Sequence, residues 1–150
     1  MTIGFFETTP ILQEKIRKEE AYHFLKEKLH LEPISFGKEY DLVLSDKAYL
    51  PNPLFFRCGI CLVPGTAENL PIIPQGILLS GGMSREDSIT FSSIGEDSAM
   101  LCLQKEIFLG GKSIVPFEKK VLFDRNFSLY KNLASAFTFC LAQFMFAEEL

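Results

Sequence analysis

One run, from Gln75 to Ile94, constrains this chain more than any other. It opens on Ile77, Leu78 and Leu79, a short apolar burst of the kind that forms a strand buried on both faces. Gly81 and Gly82 end the burst, at a point where the backbone can turn sharply or approach a ligand closely. A polar loop, Ser84-Arg85-Glu86-Asp87, leads into a β-branched and aromatic strand. An α/β fold places its site where a buried strand runs into a Gly-rich polar loop. The candidate ligand-binding residues are therefore Ser80, Gly81, Gly82, Ser84 and Asp87. Nothing in this run names a catalytic residue, a metal ligand or a cofactor.

The rest of the chain is read around that run. Residues 2–6 suit a short strand. Thr9-Pro10 is a helix start, with a hydroxyl cap and Pro in the first turn. The helix it opens runs to about His30, with a break expected near Glu19-Glu20, because Leu12 and Ile16 drift off the stripe of Tyr22, Leu25 and Leu29. Its polar side, including Lys15, Lys18 and Glu19, is expected to be solvated. Asp41–Ser45, Cys58–Val63 and Gly76–Leu79 are short buried strands, and a single helical turn is expected from Thr66. After Asp87 the texture changes to exposed-edge strands, Ser88–Ile94, Ala99–Phe108, Ser113–Val115 and Lys120–Phe123, separated by turn residues as in an antiparallel meander. A helix from about Ser128 to Glu148, apolar nearly all round, closes the chain, either inside the core or at a subunit interface. The expected fold class is α/β: a short, mostly parallel sheet extended by an antiparallel meander, with an N-terminal helix and a buried C-terminal helix.

A chain of 150 residues fits one domain, 1–150, able to bury roughly two-thirds of its unfolded surface. The net charge of −4 and scattered Lys and Arg argue against nucleic acid, which requires a basic face. The four cysteines sit in apolar surroundings, as reduced thiols do in a cytoplasmic protein. The first ten residues have neither the basic nor the long apolar segment of a secretory signal. Leu133–Ala147 is shorter than the roughly 20 residues of a membrane span and carries Ser135, Thr138 and Gln143.

Several motifs have plainer readings. Leu109-Gly110-Gly111-Lys112-Ser113 looks like the end of a phosphate loop. The Gly required earlier in that motif is Glu106, and a broken strand follows where a helix is needed, so a hairpin turn is expected. Cys58-Gly-Ile-Cys61 has the spacing of a redox or zinc pair. Within a strand, residues three apart point to opposite faces, so buried structural thiols are expected. His23 and His30, the only histidines, fall on the first helix two turns apart, too far to share a metal. Glu86, Asp87, Glu96 and Asp97 are expected to be turn acids that face solvent.

Residues 41–148 resemble in order and texture the later part of the central ATPase domain of Mur ligases, the ATP-dependent cell-wall peptide ligases. Ser128-Leu-Tyr-Lys-Asn-Leu-Ala-Ser-Ala136 is similar to that family's Asn- and Ala-rich helix motif, with Asn132, Ala134 and Ala136 in matching places and Ser128-Leu129 where the family has His-Asn. No stretch of these 150 residues is expected to supply the family's phosphate loop, carbamylated lysine segment, metal-binding positions or C-terminal domain. The resemblance implies a ligase-like fragment without ATP-cleaving machinery. The expected function is non-catalytic binding of a partner protein or small ligand, with self-association through the C-terminal helix. The alternative is a small enzyme or nucleotide-binding protein using residues 80–87.

Overall fold

The structure, a computed structural model, describes residues 1–6, 10–35, 37–45, 56–65 and 76–146. The chain is α/β. Thr2–Phe6 is strand β1, followed by helices α1 (Pro10–Lys18) and α2 (Glu20–Leu25). Strands β2 (His30–Pro33), β3 (Lys38–Ser45), β4 (Phe56–Pro64) and β5 (Ile77–Gly81) come next. Then follow β6 (Ile89–Ile94), β7 (Ser98–Leu103), β8 (Ile107–Leu109), β9 (Lys112–Ile114) and β10 (Phe117–Leu122), and helix α3 (Leu129–Met145) ends the described chain. The turn expected from Thr66 lies outside the described residues.

Eight strands form one sheet in the order β10-β7-β6-β5-β4-β3-β1-β2, and β8 and β9 form a separate hairpin. From β2 to β6 every neighbouring pair is parallel, whereas β6–β7 and β7–β10 are antiparallel. Ile3, Phe5, Leu42, Leu44, Ile60, Leu62 and Leu79 point from the sheet into the main core, where they meet the helices and the β8–β9 hairpin. Tyr40, Val43, Cys58, Cys61 and Val63 make a second, smaller cluster. The expected edge strands β6 and β7 are interior: Ile89, Phe91 and Leu101 are buried, because helices cover one side of the meander.

The N-terminal helix breaks where expected. Glu19 is extended (φ −66°, ψ 138°), and this interruption lets α1 turn Leu12 and Ile16 inward while α2 turns Leu25 inward. The helix does not reach His30. The chain turns after Leu25, and His30–Pro33 pairs with β1, with His30 N donating to Met1 O at 2.9 Å. Strand pairing and the packing of Leu31 on the core outweigh helical periodicity there. Lys15 corrects the expected solvated face. It is buried, paired with Glu19 one helical turn on, and its Nζ lies 5.7 Å from the centre of the Phe127 ring. Glu19 also accepts from Ser135 Oγ of α3 at 3.3 Å.

The apolar girth of α3 is accounted for within the chain, since Leu133, Ala134, Phe137, Leu141 and Ala142 are all buried. Ser128 Oγ caps the helix by accepting from Lys131 N at 3.2 Å. Buried Asn132 fixes the approach: its Oδ1 accepts from Asp124 N, and its Nδ2 donates to Asp124 O, both at 2.9 Å. The helix is therefore locked to the turn leaving β10.

Removing one charge of the buried Lys15–Glu19 pair strands the other. Glu19→Gln is expected to cost about 3 kcal/mol in urea unfolding. Lys15→Met combined with Glu19→Gln removes both charges, keeps an acceptor for Ser135, and is expected to cost less than about 1 kcal/mol. Equal losses in the two variants would contradict this account.

Candidate functional site

The five candidate residues come together at the carboxyl ends of β4 and β5, where many of their polar atoms are bonded by other groups of the chain. Ser80 N donates to Ser88 Oγ and Ser88 N donates to Ser80 Oγ, each at 3.3 Å. Gly65, just past β4, donates its N–H to Gly81 O at 2.9 Å, and Gly82 donates to Ile89 O at 3.1 Å. Asp87 is buried, contrary to the expectation of a solvated turn acid, whereas Glu86, Glu96 and Asp97 are exposed. Its Oδ2 accepts from Ser84 N at 2.9 Å, and its carboxylate fills the space beside Gly65 and Gly82. A Cβ on Gly82 would stand 2.5 Å from that oxygen. These glycines thus make room for the chain's own acid.

Two residues outside the sequence reading complete the arrangement. Gln104 donates from Nε2 to Asp87 O at 2.6 Å and from its backbone N to Ser88 O at 2.8 Å. The Tyr130 ring lies over Gly81, and its hydroxyl donates to Leu62 O at 3.0 Å. Gln104 stands in no motif, and Tyr130 lies within Ser128–Ala136 but at none of its matching positions. Both are recruited by the fold, Gln104 by the register of β7 and Tyr130 by the first turn of α3.

The other sequence candidates separate. Gly110 and Gly111, with φ of 57° and 78°, form the tight turn of the β8–β9 hairpin, as expected. His23 lies on α2 and His30 on β2, both exposed, not on one helix. Cys58 and Cys61 share one cluster instead of opposite faces. The β3–β4 ladder skips Asp41 and Gly59 between Tyr40↔Cys58 and Leu42↔Ile60. That interruption shifts the alternation, and the Asp41 carboxylate accepts from Thr2 N at 2.9 Å. A hydrogen bond with Cys58 and then burial hold the Cys61 thiol well above the usual range.

Three grooves among the described residues lie elsewhere, on the helix side. One of about 370 Å³ runs between α2, α3 and the second half of β10, lined by Phe24, Lys119, Leu122, Phe139 and Cys140. A second, of about 400 Å³, lies between α3 and the first half of β10, lined by Val115, Phe117, Lys119, Cys140 and Phe144. Burial pushes the Cys140 thiol, common to both, up to about 11, against the opposing pull of Lys119. The third, about 410 Å³, mixes Lys15, Lys18 and Arg125 with Glu96, Asp97 and Asp124. Arg125 there donates to Gly95 O at 2.8 Å and Glu96 O at 3.2 Å.

Comparison with protein-family models, with curated proteins and with solved structures finds no match to this chain.

The packing of Asp87 against Gly82 makes a non-additive pair. Asp87→Ala is expected to cost about 2 kcal/mol and Gly82→Ala a similar amount, the latter by forcing the carboxylate aside. In the Asp87→Ala background, Gly82→Ala should cost less than about 0.5 kcal/mol. Additive losses by denaturant unfolding would contradict the contact.

Proposed function

We propose that the protein is a non-catalytic α/β binding module that holds a partner chain along β10 and the outer side of α3. One observation carries this reading: a strip of apolar side chains left in solvent. Phe24 of α2 is 76% exposed, Val115 63%, Leu122 61% and Phe144 39%. Phe24 and Leu122 line the first groove, and Val115 and Phe144 the second. The two grooves share Lys119, Cys140 and Gln143, so they adjoin at the middle of β10. Exposed apolar side chains gathered beside grooves and rimmed by polar residues mark interaction sites. The C-terminal helix takes part through its outer residues, Cys140, Gln143 and Phe144, while its inner face stays in the core.

The closed loop at residues 80–87 supports the same reading, because the Asp87 carboxylate is engaged by the chain itself. A ligase-like chain without a phosphate loop fits binding without ATP chemistry. We place the protein in the cytoplasm, where its four free thiols would remain reduced. No helix among the described residues is long and apolar enough to cross a membrane.

A photo-reactive phenylalanine placed at Phe24 or Leu122 tests the proposal in the cells that express the protein. Discrete adducts are expected from both positions and none from exposed Glu39. Two results would overturn it. One is no adduct at either position. The other is a nucleotide, UDP-sugar, amino acid or metal that raises stability by about 2.7 kcal/mol at a hundred times its Kd and loses that effect in Asp87→Asn.

A further inference from the structure

The binding strip fits one occupant by its own chemistry, a second copy of this chain. We infer that β10 pairs antiparallel with β10 of another copy, about a two-fold axis at Lys119. The inference rests on the binding reading above and names the partner.

The first support is the direction of the backbone groups. β10 is an edge of the sheet among the described strands. Phe123 N donates to Asp97 O at 3.0 Å, and the β7–β10 ladder runs without a break from Phe117↔Leu103 to Leu122↔Ser98. Antiparallel pairs alternate between hydrogen-bonded and non-bonded. The N–H and C=O groups of Lys119 and Val121 therefore point to β7, and those of Glu118, Lys120 and Leu122 point outward.

The second support is charge. Outward groups must meet outward groups, so a two-fold axis has to pass through a residue and not between two. An axis at Glu118 sets Glu118 against its own copy, and an axis at Lys120 does the same for Lys120. An axis at Lys119 also sets Lys119 against its own copy, in a non-hydrogen-bonded position with each Nζ drawn to Gln143 of its own chain. Of the three it alone adds two opposite-charge pairs, Glu118 opposite Lys120 of the second copy and Lys120 opposite Glu118, in the hydrogen-bonded positions. Opposite charges directly across a pair are the favoured arrangement. Both side chains are exposed, on the face away from Phe117 and Val121, which pack on the core. Lys119 points to the helix side, where its Nζ donates to Gln143 Oε1.

The third support is the placement of the apolar strip. Lys119 is shared by the two grooves, and the grooves lie on opposite halves of β10. The same axis therefore brings the groove that holds Phe24 in one copy towards the groove that holds Val115 and Phe144 in the other. One two-fold axis joins the backbone groups, the charges and the apolar surfaces at once, as an isologous interface requires.

Sedimentation velocity of the purified chain over a wide concentration range tests this. The mass is expected to rise from 17.0 kDa towards twice that value. Lys120→Glu sets like charges across both positions and should weaken the dimer by about tenfold or more. The swap Glu118→Lys with Lys120→Glu restores both pairs and should return the Kd to within about threefold of the parent. Both substitutions are on exposed side chains, and unchanged thermal melts would confirm an intact fold. A chain that stays monomeric throughout, with the two lysines guarding the edge, overturns the inference. So does a dimer indifferent to Lys120→Glu, or a swap that rescues nothing. If the chain is monomeric yet Phe24 still gives an adduct with a different protein, this inference falls and the binding reading stands. If no adduct forms either, both fall.

Discussion

The step from β5 to β6 is the constraint on which the rest of the sheet depends. Adjacent parallel strands ordinarily need a crossover of about a dozen residues or more to bring the chain back to the starting edge. Residues 82–88 are too few for that. The chain does not return; β6 begins where β5 ends, and the two pair only at Gly81↔Ile89. The antiparallel strands β6, β7 and β10 therefore continue past the carboxyl end of β5. The reciprocal Ser80–Ser88 hydrogen bonds and the buried Asp87 carboxylate hold the step in place.

Two consequences follow for the surface. The loop where a parallel sheet would present a ligand site is filled by the groups that make the step. The antiparallel arm ends in β10, whose outer backbone groups have no neighbouring strand among the described residues. Helix α3 spans the join: it packs on β5, β6 and β7, is tied to β4 by Tyr130, and leaves its outer residues beside β10. The same element thus closes the core and borders the two grooves beside β10.

Much of this fold was legible in the sequence because the relevant signals are local. Val43 and Leu44, Cys61 to Val63, and Ile77 to Leu79 are apolar bursts that mark central strands. Gly110-Gly111 marks a tight turn, Ser128 a helix cap, and Glu19-Glu20 a break in the apolar stripe. What stayed hidden depends on long-range partners. His30–Pro33 becomes a strand only because β1 is there to pair with it. Lys15 looks like any surface lysine until α3 and Phe127 enclose it. Asp87 looks like a solvated turn acid until Gly65, just past β4, opens a space for its carboxylate. The candidate residues of the 80–87 run lie at the carboxyl ends of β4 and β5. Their internal satisfaction was not legible, because it depends on the stagger between β5 and β6. The meeting of Cys58 with Cys61 likewise depends on an interruption of the β3–β4 ladder that no spacing rule announces.

The account's central claim is that the arm projected by this step offers β10 as a self-complementary edge. Residue-resolved amide hydrogen exchange at low and high protein concentration tests it most directly. The N–H groups of Lys119 and Val121 face β7 and should be protected at every concentration. Those of Glu118, Lys120 and Leu122 face outward and should gain protection only as concentration rises, giving an alternating pattern along one strand. Unchanged, rapid exchange at Glu118 and Lys120 across the whole range would contradict the claim.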